Sequence, residues 1–72
     1  MTAEQAIAVT ETQRPALGID PEMSVWSAEQ AIVWTAAGDK IAWIVTLTSR
    51  LGIVLVQVED ATGKVLEVRR SA

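Results

Sequence analysis

Two carboxylates stand side by side at Glu59 and Asp60, and a second acidic pair, Asp20 and Glu22, flanks Pro21. Such pairs can serve acid–base chemistry or hold a hard cation. The chain has no histidine and no cysteine, so carboxylates and carbonyls are the only metal ligands it offers. Neither pair has the spacing of a calcium loop. The sequence therefore predicts no metal site and casts these residues as solvated turn residues, with Asp60 accepting backbone hydrogens inside its own turn. A nucleophilic serine or threonine needs a base beside it, and only Lys40 or Lys64 is available, each next to a predicted turn. The glycines at 18, 38, 52 and 63 are dispersed and form no phosphate-cradling loop. No catalytic residue and no cofactor is expected, and the chain is not read as an enzyme.

Trp26, Trp34 and Trp43 are the remaining candidates for a ligand site, since aromatic rings offer contact area and a polar N–H. Their roles depend on the elements that carry them. Thr2 followed by Gln5 matches a capping box and predicts a helix over about 3–14, ending before Pro15 because a residue preceding proline disfavours helical geometry. Ala3, Ala6, Ile7 and Thr10 share one small face, suited to close approach to a sheet. Residues 15–23, with Gly18 and Asp20-Pro21, read as an irregular connector. A short extended piece at Ser24 to Ser27 precedes a sheet over about 28–70. There the period-two pattern of Trp43, Val45, Leu47, Val54, Val56, Val58, Leu66 and Val68 marks antiparallel strands.

Turn chemistry sets an expected register. Gly38-Asp39 predicts a two-residue type II′ hairpin, pairing Ala37 with Lys40 and Trp34 with Trp43 beneath the helix. A tight, even-numbered turn near Arg50-Leu51 keeps Val54, Val56 and Val58 on the tryptophan face. Asp60-Ala61-Thr62-Gly63 predicts a type I turn with a left-handed glycine and a bulge, pairing Val58 with Leu66 and Val56 with Val68. The expected fold class is α+β, one N-terminal helix packed on a four-stranded antiparallel β-meander, in a single domain spanning 1–72.

A chain of 72 residues supports one modest core. Six scattered basic residues against nine acidic ones, net charge -3, argue against nucleic acid and anionic membrane surfaces as partners. Arg50 and Gly52 interrupt the most apolar span, so no membrane insertion is expected. The opening Met-Thr-Ala-Glu-Gln lacks the basic-then-apolar pattern of a signal peptide, which is expected of a cytoplasmic protein or of an excised domain.

The second side of the predicted sheet is apolar too. Val33, Ile44, Ile53, Leu55 and Val65 fall there, and one short helix cannot cover both sides; these five are the candidate protein-interface residues. Two partners fit: a foreign protein, or a second copy in a face-to-face sandwich that makes a homodimeric structural sheet protein.

The opening Thr2-Ala3-Glu4-Gln5-Ala6-Ile7-Ala8, the strand Ile41-Ala42-Trp43-Ile44-Val45-Thr46-Leu47 and the hairpin Val58-Glu59-Asp60-Ala61-Thr62-Gly63-Lys64-Val65-Leu66 together resemble the PepSY domain. That domain occurs in propeptides of thermolysin-like metalloproteases and in other extracytoplasmic bacterial proteins. The resemblance spans nearly the whole chain and rests on turn and strand motifs. It implies a non-catalytic module that inhibits or modulates a peptidase or assists its folding. The implied partner is a peptidase or a neighbouring domain of the same precursor, and the implied setting is secreted or cell-envelope.

Overall fold

Thr2 closes the capping box that its spacing predicts: its hydroxyl accepts from the Gln5 amide, and the Gln5 side chain accepts from the Thr2 amide. In the computed structural model, which describes residues 1–71, helix α1 runs Ala3–Leu17. Four strands follow: β1 (Ser24–Thr35), β2 (Gly38–Ser49), β3 (Gly52–Glu59) and β4 (Val65–Ser71). They form one antiparallel sheet of order β1-β2-β3-β4 with the helix on one side, an α+β fold.

The helix passes through Pro15 instead of stopping before it. Proline removes one backbone donor and biases its predecessor away from helix. Arg14 offsets that bias through tertiary bonds. Its Nη1 donates to the carbonyls of Asp20, Pro21 and Met23, the last at 2.7 Å, and its Nη2 pairs with Glu11. The connector is thus wrapped around one guanidinium. The helix ends one turn later in a Schellman motif, with Ile19 N–H bonding the Arg14 carbonyl and Gly18 N–H bonding that of Pro15, while Gly18 takes φ 68. Ile19 then drops into the core at 4% exposure.

The core lies between the helix and the sheet. Ala6 and Thr10 supply the helix side, both fully buried, and the Thr10 hydroxyl donates back to the Ala6 carbonyl. Facing them are Val45, Leu47, Val54, Val56 and Val58, joined by Ile19 and Met23 of the connector. The even turn is as expected: Ser49 pairs with Gly52 around Arg50-Leu51, which keeps the three valines inward.

The other two hairpins differ from their sequence reading. β1 begins at Ser24 and passes through a bulge at Trp26, so the short piece and the first strand are continuous. The first turn sits on Ala36-Ala37, with Thr35 paired to Gly38. Neither alanine has positive φ, so the mirror-image turn that would need it does not form; the positive φ falls on Gly38 at 107. The Thr35 hydroxyl supports this arrangement, donating to the Gly38 carbonyl and accepting from the Ala37 amide. Trp34 consequently pairs with Asp39 and Trp43 with Gln30, which separates the two tryptophans along the hairpin. Trp43 packs against the core, whereas Trp34 is 86% exposed.

In the last hairpin Gly63 is left-handed at φ 72 and Val56 pairs with Val68, as expected. Val58, however, pairs with Val65, and Leu66 is the extra residue of a bulge. The cause is the four-residue loop closed by the Glu59 and Lys64 backbones, which displaces the bulge into the strand.

These placements predict unequal costs for truncation, checked by urea denaturation. Trp43→Ala should lose about 3 kcal/mol and Trp34→Ala less than about 0.5 kcal/mol. Arg14→Ala should lose about 2 kcal/mol. Arg14→Lys should recover only part of that, because a single ammonium nitrogen cannot serve the connector carbonyls and Glu11 as the two arms of the guanidinium do.

Candidate functional site

Adjacent strand residues point to opposite sides of a sheet, and this separates Glu59 from Asp60. Glu59, 7% exposed, lies on the side away from the helix, where it pairs with Lys40 at 2.9 Å and accepts from the Thr62 hydroxyl. Asp60 accepts the Trp43 indole N–H at 2.8 Å and lies 3.3 Å from the Met1 amino group. It makes no backbone bond within its own turn among the described residues, contrary to expectation; the Thr62 hydroxyl accepts the Lys64 amide instead. Asp20 does act as a turn residue, accepting from the Glu22 amide at 2.8 Å. Both carboxyls of the 59–60 pair are held below their ordinary values. For Glu59 the causes are the Thr62 hydroxyl first and then Lys40; for Asp60 the Trp43 indole comes first. Among the described residues, no three carboxylates come together where they could hold a metal ion.

Of the five candidate interface residues, four share the face away from the helix. Ile44 lies beside Glu29 and Gln57, Leu55 beside Thr46 and Arg69, and Ile53 beside Thr48 and Ser71, while Val33 pairs with Lys40 farther along. Ile53 is 44% exposed and the other three are half-buried. Val65 is on the opposite side. Pairing with Val58 turns it toward the helix, where it packs on the core.

The outer face is neither flat nor wholly apolar. Gln57, Glu67 and Arg69 occupy its β3–β4 half, and across a shallow cleft from them runs the 32–34 segment, with Val33 on this side. The end of the first hairpin therefore curls toward this side. A second cleft joins Ile53 and Leu55 to Thr46, Arg69 and Arg70.

A further exposed set lies on the helix side and includes Trp34, which the expected register put beneath the helix. The β2–β3 ladder begins at Ala42 and Glu59, so residues 38–41 have no β3 partner and the first hairpin continues as a two-stranded arm. Ile32, Trp34 and Ile41 lie on its helix-side face at 69%, 86% and 52% exposure. Trp26, at the bulge, is 76% exposed. Element lengths carry the missed signal: fifteen helical residues span about 22 Å, and twelve-residue strands outreach them in a molecule whose longest extent is 34 Å.

Comparison with known proteins adds no relative: no protein-family model matches the chain, and neither a curated protein nor a solved structure does.

The lowered carboxyls set an acid limit on the fold. A folded state that binds its protons less tightly than the unfolded one is stabilised above the ordinary carboxyl values of 4.5 and 3.8, and that stabilisation is lost as pH falls through them toward the lowered folded values. The thermal midpoint should thus be flat above about pH 5 and fall below it. The fall should be shallower in Glu59→Gln and in Trp43→Phe, which removes the indole donor.

Proposed function

We propose that the chain is a non-catalytic protein-interaction module of the kind its PepSY-like motifs imply. In this reading it docks on a peptidase, or on a neighbouring domain of the same precursor, and inhibits it, modulates it or assists its folding. The secreted or cell-envelope setting rests on the same resemblance. One observation carries the docking part: the helix covers a single side of the sheet, and Ile44, Ile53 and Leu55 lie on the side it leaves bare. Apolar side chains grouped on an uncovered face and rimmed by polar ones are the usual composition of a docking surface. Here the rim is supplied by Gln57, Glu67 and Arg69 in adjacent strands. Glu59 and Asp60 are each engaged, with Lys40 and with the Trp43 indole, and this favours binding over chemistry as the role of that pair.

The test pairs the chain with secreted peptidases from the same source and measures both binding and residual proteolysis. Binding accompanied by loss of activity is expected. Leu55→Asp should weaken that binding at least about tenfold, since it buries a charge in the contact, while leaving the thermal midpoint within a few degrees. If no such peptidase binds or loses activity, the reading fails.

A further inference from the structure

The two edges of the sheet are protected very differently. β4 carries Glu67, Arg69 and Arg70 within seven residues, and Arg70 also bonds the Leu17 carbonyl at the helix end. Charged residues of this kind discourage strand addition. β1, the opposite edge, has Glu29 as its one charged residue in twelve, with no lysine and no proline. It also carries the exposed Ile32 and Trp34.

The hydrogen bonds of the sheet decide which backbone groups this edge offers. Ile41's carbonyl accepts from the Asp60 amide, so the odd-numbered residues of β2 bond toward β3 and the even-numbered ones toward β1. The β1 partners of those even residues are Glu29, Ala31, Val33 and Thr35. Ala28, Gln30, Ile32 and Trp34 consequently direct their N–H and C=O groups outward, and among the described residues no strand pairs with them. The regular stretch begins past the bulge at Trp26.

We propose that this edge pairs antiparallel with the same edge of a second copy, centred on Ala31, to give a two-fold symmetric eight-stranded sheet. In that register Ile32 bonds Gln30 of the second copy and Trp34 bonds its Ala28. Glu29 falls opposite Val33, so the one charge of the strand meets no like charge. A register two residues toward the N-terminus would set Glu29 against Glu29 and run into the bulge. The pairing lays the apolar faces of the two arms alongside each other.

The area argues for a second copy and for its strength. Trp34, Ile32 and Ile41 expose roughly 400–500 Å² per copy, taking a large aromatic at about 200 Å². Two copies thus present about 900 Å² of exposed apolar surface, the upper limit of what pairing covers, to which the paired backbones add; this lies just below the roughly 1,000–1,200 Å² of a specific interface. A weak dimer follows, with Kd on the order of tens of micromolar.

The experiment uses the whole chain in sedimentation velocity, with a disulfide probe of register. Concentration-dependent dimer is expected up to roughly 500 µM, well above such a Kd. Directly opposed Cα atoms about 4.5 Å apart suit a disulfide, and the chain has no cysteine of its own. Ala31→Cys should therefore give a covalent dimer on mild oxidation, and Glu29→Cys should not. Ile32→Pro removes an outward N–H without touching the β1–β2 ladder, and Trp34→Lys places a charge in the contact. Each should raise Kd at least about tenfold, with far-UV circular dichroism and thermal midpoint retained. A strict monomer across the series would overturn the proposal. So would a dimer indifferent to both substitutions and abolished by Leu55→Asp, the signature of face-to-face packing.

Discussion

The shape of this protein follows from a mismatch in length between its one helix and its longest strands. Fifteen residues of helix cover about 22 Å, while the twelve-residue strands of the first hairpin lie in a molecule whose longest extent is 34 Å. Where helix and sheet overlap, Val45, Leu47, Val56 and Val58 are fully buried. Past the last β2–β3 pair, and the Asp60 amide that bonds Ile41, no helix lies over the hairpin and no third strand beside it among the described residues, and the same alternation that buries Val45 leaves Ile32, Trp34 and Ile41 in water. A two-stranded arm of this kind has little stability of its own. Its exposed edge and face are where an additional chain has the most to bury.

The helix is held as much by its ends as by its face. Ala6 and Thr10 allow the backbone close to the valines, yet small side chains bury little area. Polar contacts add the positional control. At the start of the helix the Met1 amino group and the Trp43 indole converge on Asp60, and the Met1 side chain lies near Gly63 of the last turn. At its end Arg70 bonds the Leu17 carbonyl, where a cation also complements the helix dipole, and Arg14 gathers the connector carbonyls. These contacts lay the helix along the sheet from the β3–β4 turn toward the far end of β4.

Several elements were legible in the residues. The Thr2–Gln5 box, the even turn at Arg50-Leu51, the left-handed Gly63 and the inward set Val54, Val56 and Val58 are each specified by local chemistry or by a period of two. The structure departs from the expected pattern where another contact, with a separate segment or within the turn itself, outweighed the preference of the residues. Arg14, bonded to three connector carbonyls, carries the helix through Pro15. The Thr35 hydroxyl and an ordinary turn at Ala36-Ala37 displaced the expected Gly38-Asp39 loop, and the sheet face of every residue survived because the register moved by an even step. Val65 did change sides, because the bulge settled at Leu66.

Composition and periodicity by themselves determined an α+β meander with apolar residues on both sides of its sheet, since side-chain alternation is a property of the strand and needs no neighbour. Which of those residues are covered was decided only in three dimensions. Burial depends on how far the helix reaches over the sheet and on where each strand outruns its neighbours, and these follow from long-range packing that no local window of sequence contains. Trp43 and Trp34 sit on one strand face in either description. One packs on the core and bonds Asp60, and the other stands in solvent, because the helix begins level with Trp43 and Trp34 lies beyond its start.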